Sequence, residues 1–587
     1  MCHAIRNRNQ SPRRQFYGTI AVQAQSTQRS ARDAGGISRY LGVMQARTNS
    51  AAVDDRPTHP LAVVNARVWT GDLRRLWTDG LLTHGDRIAV VGSSAEVMKG
   101  VNAATQVIDG RGMLVVPGFI DCHIHFLAGG LGLSSVQLRD AATPAEFTRR
   151  IAEFAAQCRF GQWIRNGDWD HELWGGELPH RDWIDSATMG RSVWINRLDG
   201  HMSLANGVAL RAAGITRDTP DPVGGAIVRG RDGEPTGILK DNAQALVDRI
   251  APPPSDADAD RALASAMQFV ASHGVTSVHH MGTWQDLAVF ERGHEAGRLS
   301  TRIYAAVPID TWEQLRRRVD AQGRGDAWLR TGALKGFVDG SLGSHTAAML
   351  EPFTDAPNDR GLFVNTPENL YRWTSGADAA GLHLIIHAIG DLAIRTQLDI
   401  YERVINENGL RDRRFRIEHA QHLAEPDIPR FAKLGVIPSV QPYHAIDDGR
   451  WAERVIGRER AKLTYAFRSL LDAGARLVMG SDWHVAPPIP LQGICAAVTR
   501  RTLDGRHQGG WIPEQRIALS EALRAYTVDA AYASFDETEK GTLARAKLAD
   551  FTVIDRDIAG IPPDEIAEAR VLMTVAGGRV VYAAPGL

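Results

Sequence analysis

Hydrophobic and polar positions change rhythm twice along this chain. From Leu61, the runs LAVVNARVWT, RIAVVG and TQVIDGRGMLVVPG alternate apolar with polar residues, and Gly-Asp and Asp-Gly pairs punctuate them. A period of two with such turn signals predicts a small antiparallel sheet. The C-terminus reads alike in LADFTVID and VLMTVAGGRVVYA, where Gly577-Gly578 is the expected hairpin turn. Two β-rich ends around a long middle predict one small β domain built from both termini.

In the middle, strand-length apolar runs alternate with amphipathic helical stretches, the pattern of a parallel α/β fold. The candidate strands are GFIDCH, SVWINRL, VTSVHH, RIYAAVP, LKGFVDG, HLIIHA, FRIEHA, VIPSVQP and RLVMGSD. A closed barrel takes eight, so one is surplus. SVWINRL is the expected surplus, because residues 140–260 read as an insertion after the first strand. That stretch is rich in tryptophan (Trp163, Trp169, Trp174, Trp183, Trp194) and ends at Pro252-Pro253-Pro254.

Residues 1–55 show no apolar period. They carry eight arginines, with Asp33 as the only acid before Asp54. An Arg-rich, acid-poor start can be a transit peptide, but a disordered or mis-annotated extension is the favoured reading, with Met44 a later candidate start.

Composition narrows the class. With 587 residues, 44% hydrophobic and 23% charged, the chain has a sizeable core and the make-up of a soluble protein. Its 67 basic and 68 acidic residues nearly cancel, which gives no hint of nucleic acid or an acidic membrane as partner. No apolar run reaches the roughly 18 residues of a membrane helix. Cys2, Cys122, Cys158 and Cys495 form no CxxC pair, so no disulfide framework is implied and a cytoplasmic setting fits.

The chemistry starts in VVPGFIDCHIHF. Alternate strand residues share a face, so His123 and His125 are expected to point into one site, while Cys122 faces away as core filler. Further polar residues collect at later strand ends: Lys335 and Asp339, His387, His419 and Asp482. In a parallel barrel these ends converge on one face, where four histidines and an aspartate make a coherent set for a divalent metal such as zinc. Lys335 joins such a set only when carbon dioxide carbamylates its amine. The glycine-rich GGLGL after the histidine pair lacks the lysine and serine of a phosphate loop and is not read as one.

VPGFIDCHIH, LKGFVDGS, LIIHAIGD, RIEHAQ and GSDWHVAP, in that order, resemble the metal motifs of the amidohydrolase superfamily. GDWDHELWGGELPHRDWID, LDGHMSLANGVAL, GGAIVRGRDGEPTGIL and DGSLGSHTAAMLEPF are similar to segments of its YtcJ-like branch, which includes N-substituted formamide deformylases. The resemblance runs from about residue 61 to the C-terminus. It implies a distorted (β/α)8 TIM barrel, residues 118–535, with a composite β-sandwich from residues 56–117 and 536–587. It also implies one or two metals: His123, His125 and Asp482 on the first, His387 and His419 on the second, and carbamylated Lys335 between them. Asp482 would act as general base and then acid. A homodimer is a habit of the superfamily. His280, His345 and His484 depart from the branch's usual residues and are expected near substrate.

For substrate contacts the candidates are His201, Trp169, Asp339 and His345, with Asp170 and Trp174 also near the cleft mouth; Trp183 is assigned to the insertion's own core. The expected activity is metal-dependent hydrolysis, by activated hydroxide, of a non-peptide carbon–nitrogen bond in a linear amide such as an N-substituted formamide. The alternatives are a cyclic amidase or a deaminase on the same site, or a non-catalytic scaffold.

Overall fold

Eight parallel strands lie side by side in chain order: β1 (Phe119–Ile124), β2 (Val275–Met281), β3 (Arg302–Pro308), β4 (Leu329–Phe337), β5 (His383–Ala388), β6 (Arg416–His419), β7 (Ile437–Val440) and β8 (Val478–Met479). The structure, a computed structural model, describes residues 59–159 and 161–586, so the extension expected over residues 1–55 lies outside the described residues. Most strand residues are buried, because helices cover one face and the barrel interior the other. That double burial is why these strands read as continuous apolar runs rather than alternating ones.

The ring closes between its last and first strands, where the sequence motifs lie. Ile124 bridges Trp483. The Asp482 amide donates to the His123 carbonyl at 2.7 Å, and the His125 amide to the Trp483 carbonyl at 2.7 Å. Gly480 makes this approach possible, since a Cβ there would lie 2.4 Å from the His123 nitrogen. Asp121 pins the seam: its Oδ1 accepts from the amides of Ser481 (2.9 Å) and His123 (3.2 Å). Burial raises the Asp121 carboxyl to about 7.

The small β domain departs from the sequence expectation in one respect: its pairing is mixed. Leu61–Val64 runs parallel to Gln106–Asp109, and Arg67–Trp69 parallel to Leu114–Pro117. Alternation reports which face is buried but says nothing of which strand lies alongside. The two β-rich segments do pair, Phe551–Ile554 antiparallel with Leu114–Pro117. The four-stranded and six-stranded sheets share one core that includes Val63, Leu81, Val68, Val115, Phe551 and Val575.

Gly577 and Gly578 join Val571–Ala576 to Arg579–Ala583, both with positive φ (57° and 71°). A Cβ on Gly578 would also fall 2.0 Å from the Gly85 carbonyl oxygen. Gly578→Ala is therefore expected to destabilise the fold by about 1–3 kcal/mol through backbone strain, read as a lower calorimetric unfolding temperature.

SVWINRL is the surplus strand. Val193–Asn196 belongs to a separate five-stranded sheet with Ile164–Arg165, Met202–Ala205, Pro235–Asp241 and Gly225–Arg229. Trp169 corrects the expectation of a cleft-mouth residue. It lies wholly buried in this insertion, 6.5 Å edge-on from Phe147, and its Nε1 donates to the Ile195 carbonyl at 3.0 Å. A small inserted sheet needs large apolar side chains of its own to bury, and Trp169 serves there. Trp174 and Trp183 pack partly buried against the same core.

Candidate metal centre

His123 ends the inward row of β1. Its Nδ1 lies 2.5 Å from Glu418 Oε2. A carboxylate only accepts, so Nδ1 carries the hydrogen and the Nε2 lone pair faces the site. Burial, then the Lys335 ammonium, pushes this imidazole down to about 4, which keeps it neutral. Glu418 stays ionised: burial raises its pKa, but the Arg416 guanidinium and then His123 outweigh that and hold it at about 2. Arg416 clamps both carboxylate oxygens, at 2.8 and 3.1 Å.

Alternation along β6 places Arg416 and Glu418 on the inner face and would turn His419 outward. His419 instead takes a left-handed backbone, φ 70°, and brings its ring within 4.8 Å of His123 and 4.5 Å of His387. Asp482 shows the same device, with φ 61°. Such backbone is uncommon outside glycine and clusters at functional sites.

The ligand atoms of His123, His419 and Asp482 all lie within 4.8 Å of one another. His125, just beyond β1, joins them: Asp482 Oδ1 is 3.3 Å from its Nε2 and 3.4 Å from that of His123. Two atoms each about 2.1 Å from one tetrahedral ion stand roughly 3.4 Å apart, so this spacing fits a shared divalent metal. Asp482 Oδ1 and His419 Nδ1 are also buried without a hydrogen-bond partner, which is costly unless a cation or donor meets them. Neutral imidazoles and a carboxylate are the donor set of zinc and its neighbours.

Lys335, on β4, places Nζ 3.3 Å from His123 Nε2, and burial pushes its ammonium down to about 8. His387 donates from Nε2 to the Gly340 carbonyl at 3.0 Å, which leaves Nδ1 as its lone-pair nitrogen. The structure thus brings all six residues of the expected metal set to one end of the barrel.

The expected substrate contacts divide. His201 lines the pocket over this cluster, its ring 5.0 Å from that of His387 and its Nδ1 2.7 Å from Asp241 Oδ1. Burial opposes its charge, but the Asp241 hydrogen bond wins and raises its pKa. Asp339 is corrected: it is wholly buried and spends its carboxylate on the amides of Ala348 (2.8 Å), Ile389 (3.0 Å) and Gly390 (2.8 Å). It shapes the loops after β4 and β5 rather than meeting substrate. His345 pairs with Asp355 at 2.9 Å, outside the pocket lining. His280 sits behind the site and accepts from the Phe126 amide at 3.1 Å. His484 pairs with Asp168 at 3.0 Å, its ring 5.9 Å from His125. Asp170, nearly buried, is drawn into ion pairs with Arg197 and Arg450. Cys122 packs on the outer face with Ile120, Ile437 and Val478, as expected.

The pocket holds about 470 Å³ of empty space, counting its mouth. Insertion residues Arg197 and Asp199, the loop residue Gln421, and His444, Asp447 and Asp448 of the short helix Pro442–Asp448 complete its wall. Glu418 is the functional residue that the sequence reading missed. Its signal was present: two charged residues, two apart, immediately before the candidate ligand His419.

The amidohydrolase family model matches residues 106–582. This chain belongs to the amidohydrolase family. It is 39% identical over 535 residues to the Arabidopsis thaliana protein LONG AFTER FAR-RED 3, covering 89% of this chain and 91% of that protein. It is 31% identical to YtcJ of Bacillus subtilis strain 168 over 537 residues, 87% of this chain and 99% of YtcJ. It is likewise 31% identical to N-substituted formamide deformylase of Arthrobacter pascens over 554 residues, 90% of this chain and 99% of the enzyme. Among solved structures, an uncharacterized metal-dependent hydrolase from Pyrococcus horikoshii OT3 superposes with a TM-score of 0.70 at 27% identity, covering 86% of this chain and 99% of that one.

Proposed function

We propose that this amidohydrolase is a metal-dependent hydrolase of a non-peptide carbon–nitrogen bond in a linear amide, with N-substituted formamides the leading class. The observation that carries the reading is the convergence of His123, His419 and Asp482 with Asp482 Oδ1 left unpaired. The formamide class is suggested by the similarity to the Arthrobacter pascens deformylase.

His123, His125, His387, His419 and Asp482 would hold one or two ions, zinc by donor type. A bound ion there supplies Lewis acidity and lowers the pKa of a coordinated water from about 15.7 to about 7. Asp482, with an acceptor oxygen facing the pocket, takes a proton from the attacking water and returns one to the departing nitrogen. Glu418 holds the His123 ring in its tautomer throughout. Lys335 is proposed to be carbamylated; carbon dioxide adds to the neutral amine, and a pKa of about 8 leaves some of that form near neutrality. No helix among the described residues is long and apolar enough to cross a membrane. A cytoplasmic setting accords with the unpaired Cys122, Cys158 and Cys495.

Elemental analysis of purified wild type and Lys335→Ala tests this. About two metals per chain, falling to one or none in the variant, is the expected result if a carbamylated Lys335 helps to hold the ions. One in both makes Lys335 structural; none after zinc or manganese supply overturns the metal-dependent reading. A panel of N-alkyl and N-aryl formamides, cyclic amides and aminated heterocycles then separates deformylase from cyclic amidase and deaminase.

A further inference from the structure

His444 stands in QPYHA, just beyond β7, in the short helix Pro442–Asp448. It lines the pocket together with His419, His201 and Asp482. Its ring lies nearly parallel to that of His419, at 10° and 6.3 Å between centroids. Its Nε2 is buried and has no hydrogen-bond partner among the described residues. An imidazole nitrogen left this way forfeits a hydrogen bond unless something in the pocket supplies one.

The neighbouring polar groups do not meet it. Asp447 is engaged by Arg139 and by Arg450. Asp448 accepts from the Tyr465 hydroxyl at 2.5 Å and from Gln421 Nε2 at 3.1 Å. Nor does His444 belong to the group of ligand atoms formed by His123, His419 and Asp482. It stands one ring away from that group, on the pocket side of His419.

We infer that His444 is a catalytic hydrogen-bond donor to the carbonyl oxygen of the amide substrate. The inference rests on the hydrolase reading above and deepens it. An amide offers two polar ends, a carbonyl oxygen and an N–H. The carbon under attack must sit beside the cluster of His123, His419 and Asp482, so its oxygen lies at that end of the pocket, within reach of a ring stacked over His419. The N-substituent extends instead along the rest of the pocket wall, which includes Asp448 and Trp451. An imidazole carries at least one N–H in either charge state, and Nε2, with no partner among the described residues, is the nitrogen free to donate it. When water adds, the carbonyl π pair moves onto oxygen, and a donor already aimed there strengthens as charge develops. On collapse the pair returns, the carbon–nitrogen bond breaks, and the amine leaves with the proton from Asp482. His444 keeps its own proton throughout.

The test compares wild type, His444→Phe and His444→Gln on the fastest-hydrolysed member of the amide panel, with metal content and unfolding temperature measured in parallel. Phe keeps the ring shape and removes the donor; the Gln side-chain amide nitrogen reaches the place of Nε2. The expected result is that His444→Phe lowers kcat by about 100-fold, the usual size for loss of one oxyanion donor. KM should stay within about threefold, because the bond is made chiefly in the transition state. His444→Gln should recover about tenfold of that loss. Metal per chain and unfolding temperature should match wild type in both. Retention of wild-type kcat by His444→Phe overturns the inference while leaving the hydrolase reading intact. Loss of metal from His444→Phe overturns it as well, by making His444 a ligand. A wild type that binds metal and hydrolyses no member of the panel overturns both readings.

Discussion

Asp482→Asn is expected to lower kcat/KM by at least about 1000-fold, toward the upper end of what general acid–base catalysis contributes. It should also reduce bound metal. Asp482 Oδ1 stands 3.3 and 3.4 Å from the Nε2 atoms of His125 and His123 and has no other partner. Burial pushes the Asp482 carboxyl up, but the neighbouring His123 and His125 imidazoles outweigh it and hold it well below the usual carboxylate range. Asn keeps the shape while removing the charge and the proton acceptor. It also tolerates the left-handed backbone at this position, so the fold should survive. The checks are initial rates on the amide panel and metal per chain. Activity within tenfold of wild type would assign the proton transfer elsewhere; a biological role unchanged in a cell carrying the variant would bring forward a non-catalytic scaffold.

Glu418→Gln is expected to weaken metal binding about 10–100-fold, the usual cost of losing a carboxylate that orients a ligating histidine. It should also destabilise the chain by about 3–5 kcal/mol, since it leaves the Arg416 guanidinium buried without its counter-charge. Arg416 reaches His279 Nδ1 at 2.9 Å, Ser439 Oγ at 3.1 Å and the Cys122 carbonyl at 2.5 Å, but among the described residues Glu418 is the only carboxylate it touches. The pair Glu418→Gln with Arg416→Met separates the two effects. Stability should largely return, because the stranded charge is gone, while metal affinity stays low because His123 still lacks its acceptor. Chelator competition reads affinity, and denaturant unfolding reads stability. Metal affinity at the wild-type level in the double variant would show that Glu418 acts on the fold alone.

The seam of the barrel explains how much of the site was legible. β1 carries Asp121 and His123, the residues just after β8 include Gly480 and Asp482, and backbone bonds between them place the candidate metal ligands and close the ring together. Local chemistry and global topology are met by the same short motifs, so the motifs are easy to read. His201 was legible for a similar reason: it sits at the tip of a hairpin in a polar stretch, and that hairpin reaches the pocket. Trp169 was not, because a tryptophan in a polar neighbourhood reads alike whether it lines a cleft or fills a small core. Asp339 was not, because three amides from two distant loops compete for its oxygens, and no local pattern announces them.

The sequence alone determined the order of the barrel strands, the surplus strand of the insertion, the pairing of the two β-rich segments and the polar residues that converge at one end of the barrel. Each of these follows from period, length and the chemical identity of side chains at strand ends, which are local properties. Tertiary structure alone decided which lone pair each histidine presents, through Glu418 for His123 and Gly340 for His387. It decided that His419 turns inward against the alternation of its strand, through a left-handed backbone that no residue preference foretold. It also left His444 with an unpaired nitrogen over the site. The histidine partners stand 47 and 295 residues away in the chain, and a hydrogen bond is known only once both of its ends are placed.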